Sequence, residues 1–322
     1  MNRHRRALLL LALAAALAGL AWFGMQAAEQ QPGRPAAVTA AQLPERDAGP
    51  AGEDDRAADR GALPPLPAQD LPFSQALPDL LARADAGDAR AACRLGHGLL
   101  RCQHSARWNK IIGRLVGRPD LETEYERRGD LAAANRVAAE ELWRLEVARD
   151  CDLLPASLHD QGSRYLREAA LDGDPEAMLA YGLGHQWNPG GRGVAAGSDF
   201  DTWRNEAPGM LQRALRAGHP AAAFALASAY GDDFGFPSVL VPNDDYRAAV
   251  YHLLSVALFG QREDRRLLQR LDASAQVAAR GEARRLHVDV FDERTFGGEH
   301  AFLQPPFLKR PDDMPAPCEL PQ

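Results

Sequence analysis

The sequence predicts an all-α protein, an α-solenoid of stacked helical hairpins with an N-terminal membrane segment and an irregular C-terminal tail. Helical segments rich in Ala and Leu run from Ala76 onward and are separated by Gly-Asp or Gly-His pairs. Three of these segments align on Gly87, Gly173 and Gly218. Self-similarity at a fixed period is typical of proteins built from stacked repeats.

A basic flank and an uncharged run open the chain. Arginine or histidine occupies each of positions 3–6, and only apolar or small residues follow from Ala7 to Met25. This run is long enough to span a bilayer, and the arginines favour a cytoplasmic N-terminus. Residues 1–27 are therefore predicted to be a signal anchor in the inner membrane, with the remainder in the periplasm. The alternative is a signal peptide that is cleaved after Ala27, which releases the protein.

The next stretch, residues 28–75, is rich in Pro, Ala, Gly and charge and has no apolar periodicity. Such a sequence buries too little surface to offset the entropy of ordering it. It predicts a disordered linker that holds the folded part away from the membrane, which the chain touches only through its N-terminal helix. The helical-repeat domain is expected at residues 76–286.

Five glycines recur within that domain at spacings of 42, 44, 45 and 42 residues, at positions 87, 129, 173, 218 and 260. In the three best copies an alanine follows four residues after the glycine and a small residue nine residues after it. A glycine with positive φ can end one helix, a polar residue can cap the next, and small residues let the two helices approach closely. Each unit is predicted to be an αα-hairpin that buries its apolar face against its neighbours.

The segment from Leu215 to Gly260 resembles Sel-one-like repeats, a short-period relative of the tetratricopeptide repeats, in its Ala, Leu and Tyr-Gly positions and its second Asp-led helix. The likeness covers about residues 76–260. It is weakest around Gly129, so residues 106–147 are either a repeat or an inserted hairpin. The resemblance implies a module that binds other proteins.

Composition excludes one class of function and leaves others open. The net charge of −7 provides no basic excess for binding nucleic acid. The sequence contains no nucleophile elbow, P-loop or metalloprotease motif. We therefore expect a non-catalytic interaction or adaptor module of the cell envelope, with an unidentified protein or peptide partner and no cofactor. The alternatives are an envelope hydrolase of wall material and a metal-handling protein that uses Cys93 and His97.

Two cysteines and two histidines lie within the stretch from Cys93 to His104. On a continuous helix Cys93 and Cys102 point to opposite sides, so they cannot bridge each other and cannot converge on one ion. Exported cysteines are mostly disulfide-bonded. Cys151 follows residues 106–147, the segment that matches the repeat least well. A Cys102–Cys151 bridge is predicted, and it would join the two ends of that segment.

The remaining cysteines are Cys93 and Cys318, in the proline-rich C-terminal tail, residues 287–322. The tail is long enough to return along a short solenoid, so a Cys93–Cys318 bridge is predicted. On the tetratricopeptide template the concave groove is expected to be lined by six side chains: Arg90, His97, Arg101, Glu176, Leu183 and Trp187. A mixed polar and aromatic face suits peptide capture, although a tail running through the groove partly occupies it.

Overall fold

The computed structural model describes residues 64–115, 121–187, 198–231 and 237–301, together with Cys318. All regular elements in these residues are helical, so the predicted all-α class is confirmed. The α-helices are α1 (Phe73–Asp85), α2 (Ala89–Leu115), α3 (Leu121–Arg127), α4 (Leu131–Cys151), α5 (Gly162–Leu171), α6 (Pro175–Gly182), α7 (Ser198–Arg216), α8 (Ala221–Tyr230), α9 (Asp245–Phe259), α10 (Arg265–Leu268) and α11 (Ala273–Phe291).

The repeated glycines end helices as the sequence predicts. Gly87, Gly173 and Gly218 have φ values of 89°, 94° and 80°, and Gly129 has 76°. After each of these glycines, the next backbone N–H donates to the carbonyl five residues back, which is the Schellman arrangement. The prediction of positive φ at the three aligned glycines is thus confirmed.

The small residues nine positions after the glycines bring helices into close contact. A Cβ added at Gly96 in α2 would lie 2.8 Å from the backbone nitrogen of Leu166 in α5. One added at Gly182 would lie 2.6 Å from a methyl carbon of Leu211 in α7. These distances are too short for a side chain, so glycine allows α2 to meet α5 and α6 to meet α7.

The helices pack mainly on their neighbours along the chain, with one departure. Helix α1 packs on α2, α5 on α6, α6 on α7, α8 on α9 and α9 on α11. Helix α2, however, packs along α5 and not along α3. The α3–α4 hairpin packs on itself, and α4 contacts α1 and α2 from the side. This arrangement favours the inserted-hairpin interpretation of the segment around Gly129.

Two contacts fasten the end of α4 to the start of the domain. Cys151 is bonded to Cys102, with Cα atoms 5.3 Å apart. The neighbouring Asp150 carboxylate accepts hydrogen bonds from the backbone nitrogens of Phe73, at 2.7 Å, and Ser74, at 3.1 Å. Because α1 has no cap of its own, Asp150 satisfies free N–H groups of its first turn from a position 77 residues away in sequence.

The domain boundaries differ modestly from those expected. Helix α1 begins at Phe73, before the expected start at Ala76, and α11 continues to Phe291, past the expected end at residue 286. The last linker residues also contact the domain, since Arg83 donates to the carbonyls of Pro64 and Pro65 at 2.8 Å. Arginine side chains that bind carbonyls thus extend the ordered region towards the N-terminus.

The predicted membrane segment, residues 7–25, and most of the linker lie outside the described residues. None of the described helices has both the length and the apolar composition needed to cross a bilayer.

Candidate functional site

The Cys93–Cys318 disulfide is the centre of the candidate site. Cys318 is bonded to Cys93 in α2, with Cα atoms 5.9 Å apart, and the two residues are 225 apart in sequence. Cys93 is fully buried and Cys318 is 4% exposed. This pair and Cys102–Cys151 are the two pairs expected from the sequence. Cys318 therefore lies against α2, the second helix of the described residues.

His97 lies one helical turn after Cys93 on α2 and is 4% exposed. Neither of its ring nitrogens has a hydrogen-bond partner among the residues that the structure describes. Burial lowers the pKa of His97 to about 4, an effect that the nearby charge of Glu176 partly opposes. The imidazole is therefore uncharged near neutral pH and retains a lone pair on one ring nitrogen.

Glu176, in the first turn of α6, brings a negative charge into this buried region. Its carboxylate Oε2 lies 2.8 Å from Nε2 of His219, which lies two residues before the first residue of α8. Burial tends to raise the pKa of Glu176. The hydrogen bond from His219 and the electrostatic effects of His219, His97 and His185 outweigh it and lower the pKa to about 2. The carboxylate is therefore ionised at every physiological pH.

His219 differs from the residues at the corresponding position of the first two aligned units. Asp88 and Asp174 occupy the same position after the repeated glycine, and each accepts a hydrogen bond from the helix that follows. No side-chain cap is present at the start of α8, and the His219 ring instead joins Glu176 of the preceding unit. Sequence reasoning missed this pair, because the two residues lie 43 positions apart and neither belongs to a motif.

The structure brings only part of the predicted groove set together. His97 and Glu176 are neighbours in the buried cluster, and Leu183 is 7% exposed within the core. Arg90 lies to one side, where it donates to the carbonyl of Pro64 at 3.2 Å. The Arg101 guanidinium lies 5.9 Å from the ring centre of Phe73 in α1, and burial lowers the pKa of Arg101.

Trp187, the last of the predicted groove residues, packs in an aromatic cluster. Its ring centre lies 6.3 Å from that of Trp203, which it meets edge to face, and 6.2 Å from that of Phe200. Trp203 is fully buried and donates to the carbonyl of Tyr181 at 2.7 Å. These contacts make Trp187 a packing residue on the α6–α7 side of the domain.

An exposed apolar surface occurs elsewhere, on the outer side of α4. Leu131, Leu142 and Leu145 are 63%, 62% and 52% exposed. At 3.6 residues per turn these three positions lie within roughly 60° of one another around the helix axis. We call them the leucine face. The spacing of the three leucines is visible in the sequence and is typical of an apolar helix face. Such a face is usually buried, but the structure leaves this one in contact with solvent.

One cavity among the described residues is small and apolar. It has a volume of about 180 Å³ and is lined mostly by apolar side chains of α7, α8 and the loop before α9, among them Leu211, Leu226 and Leu240. Sites for substrates usually exceed about 300 Å³ and contain several convergent polar groups. The cavity therefore gives no support to the hydrolase alternative.

Comparison with protein-family models, with curated proteins and with solved structures finds no match for this chain.

Proposed function

We propose that this chain is a non-catalytic protein-interaction module of the cell envelope, an α-solenoid built from Sel-one-like helical hairpins and held at the inner membrane by its N-terminal segment. The single observation that supports it most is the leucine face. Three leucines at helical spacing, each more than half exposed, form an apolar surface of the kind that marks protein-binding sites.

The position of the leucine face fits a binding role. It lies on α4, in the hairpin that stands outside the succession of packed helices. Two fixed points, the Cys102–Cys151 disulfide and the Asp150 carboxylate, hold the base of that hairpin. A surface fixed in this way loses little conformational freedom on binding, which favours affinity.

The concave side contributes less to binding than the resemblance implies. The side chains of His97 and Leu183 are already buried, and Cys318 covers part of this side through its bond to Cys93. These buried side chains leave little surface on this side for an external peptide to contact. The partner is therefore a protein that recognises an exposed apolar helix face, and not an extended peptide captured in the groove.

Two disulfides support an oxidising compartment. Such bonds persist in the periplasm and are rare in the cytosol. The proposed anchor and linker, residues 1–75, would place the helical domain in that space at a distance from the membrane.

The test is site-specific photo-crosslinking in the intact envelope. A photoreactive residue at position 142 or 145 should yield one discrete cross-linked protein. The same residue at position 136, which is exposed on a different side of α4, should yield none.

A charge substitution supplies the matched control. Leu142→Glu should abolish the position 145 adduct and leave thermal stability unchanged, since the side chain is already exposed. Val277→Glu, at another exposed apolar residue, which lies on α11, should leave the adduct intact. Equal adducts at positions 136 and 142, or an adduct unaffected by Leu142→Glu, would contradict the proposal.

A further inference from the structure

Three potential metal ligands meet where the tail joins α2. The sulfur atoms of Cys93 and Cys318 and a ring nitrogen of His97 all lie within 4.8 Å of one another. All three residues are buried. Cys93 and His97 present their side chains on the same helical face, four positions apart, and Cys318 supplies the third group.

His97 differs from the two cysteines because its polar atoms have no partner in the described part of the chain. Both ring nitrogens are buried without a hydrogen-bond partner among the described residues. Burying an unsatisfied polar group destabilises the folded state. Such a group in a folded protein calls for an explanation, and a bound ion is one.

Two charges act on His97, and the negative charge of Glu176 has a larger effect than the positive charge of Arg101. Glu176 is close enough to influence the charge of His97, and its carboxylate is 15% exposed. Its hydrogen bond to His219 fixes one carboxylate oxygen at 2.8 Å. A buried negative charge beside an unpaired imidazole lowers the cost of bringing in a positive ion.

We infer that reduction of the Cys93–Cys318 disulfide creates a site for Zn²⁺ or a similar thiophilic ion, in which Cys93, Cys318 and His97 are the protein ligands. Two thiolates, one imidazole and a water molecule form a common tetrahedral zinc set. Nothing in this inference depends on the proposed interaction function.

The chemistry balances with a dithiol as the reductant. The dithiol gives two electrons and two protons to the Cys93–Cys318 bond and becomes a disulfide itself, which leaves two protein thiols. Binding of a divalent ion then releases the two thiol protons, and each sulfur forms one bond to the metal. The metal replaces the disulfide as the link between the tail and α2.

The second disulfide provides an internal comparison. Cys102 and Cys151 are as close to each other as the first pair, but no third ligand joins them in the part of the chain that the structure describes. Reduction there should therefore produce two thiols without a metal site.

The test is a Co²⁺ titration of the full chain, reduced with a phosphine, because cobalt bound by thiolates absorbs in the near ultraviolet. The phosphine gives two electrons to the disulfide and takes an oxygen atom from water to become its oxide, and the two protons of that water go to the thiols. We expect one Co²⁺ per reduced chain with thiolate absorption, displaced by Zn²⁺, and no such absorption from the oxidised chain. His97→Gln should weaken binding by tenfold or more, and Cys318→Ser should reduce the thiolate absorption by about half.

The double substitution Cys102→Ala with Cys151→Ala is the matched control and should keep the site. Circular dichroism of each sample reports whether the helices persist after reduction. No thiolate absorption in the reduced chain would overturn the inference, as would unchanged binding in His97→Gln. A helical signal that is lost on reduction and not restored by Co²⁺ would overturn it as well.

Discussion

His219 Nε2 lies 2.8 Å from Glu176 Oε2, a contact that joins the third aligned helical unit to the second. The His219 side chain is 5% exposed and that of Glu176 is 15% exposed. At the corresponding position in the first two units, an aspartate caps its own helix. In the third unit His219 therefore makes a contact with the preceding unit and does not cap its own helix. This contact lies close to the buried His97.

The buried cluster predicts a loss of stability at mildly acidic pH. The pKa of His97 is about 4 in the folded chain and 6.5 when unfolded. The unfolded state therefore binds a proton first as the pH falls, so the His97 contribution is complete above pH 6.5 and declines towards pH 4. A decrease in pH from 7.5 to 5 should therefore lower the free energy of unfolding by about 2 kcal/mol through His97 alone.

Urea unfolding at the two pH values measures this difference. His97→Gln should remove most of it, whereas His159→Gln, at an exposed histidine, should retain it. Glu176 loses its contribution only below pH 4.5, as the pH falls towards its folded pKa of about 2. Equal pH dependence in the wild type and His97→Gln would show that His97 is not the group responsible.

Alanine substitutions at two glycines should have opposite effects on stability. Gly87 has φ of 89° and no neighbour within 4 Å of an added Cβ, so Gly87→Ala tests backbone strain alone. It should destabilise by about 1–2 kcal/mol. Gly209, in the interior of α7, also has open space around it but no positive φ. Gly209→Ala should therefore stabilise by about 0.5–1 kcal/mol in chemical denaturation, and a shared sign would contradict the assigned roles.

The Asp150 carboxylate should stabilise the first helix. Asp150→Ala removes the acceptor for the nitrogens of Phe73 and Ser74, so we expect a loss of about 1 kcal/mol in the free energy of unfolding. Asp152, two residues on and exposed, is the matched control. Asp152→Ala should change stability by less than about 0.5 kcal/mol. If the two variants are equally stable, Asp150 does not act as the cap.

The two disulfides should contribute unequally to stability. They join residues 225 and 49 apart, and a longer closed loop restricts the unfolded chain more. Replacing Cys93 and Cys318 by alanine should cost about 1 kcal/mol more than replacing Cys102 and Cys151. Thermal unfolding of the two double variants supplies the comparison, and a larger cost for the shorter loop would refute it.

Local signals in the sequence were sufficient for the helices and their ends. A glycine such as Gly173 ends a helix because its φ of 94° suits no other residue as well. The period of the glycines therefore predicted where the hairpins lie. Helix geometry placed Cys93 and Cys102 on opposite faces of α2 and so excluded a bridge between them. Both inferences need only neighbouring residues and helix geometry.

Features that depend on distant residues could not be predicted in the same way. Asp150 reaches Phe73 across 77 positions, and His219 replaces a local cap with a bond to Glu176. On the tetratricopeptide template His97 and Leu183 were expected to line an open groove, but both side chains are buried in the structure. Helical periodicity gives the direction of a side chain from its own helix, but not which other segment covers it.

The Cys93–Cys318 bond brings residue 318 back to α2, where it lies beside His97 and supplies a ligand of the proposed metal site. Non-reducing peptide mapping of the full chain tests it directly, because Arg94 and Arg101 let trypsin separate Cys93 from Cys102. The account predicts two cross-linked peptides within one chain, Cys93 with Cys318 and Cys102 with Cys151. A free Cys318, or a Cys318-linked dimer of two chains, would contradict it.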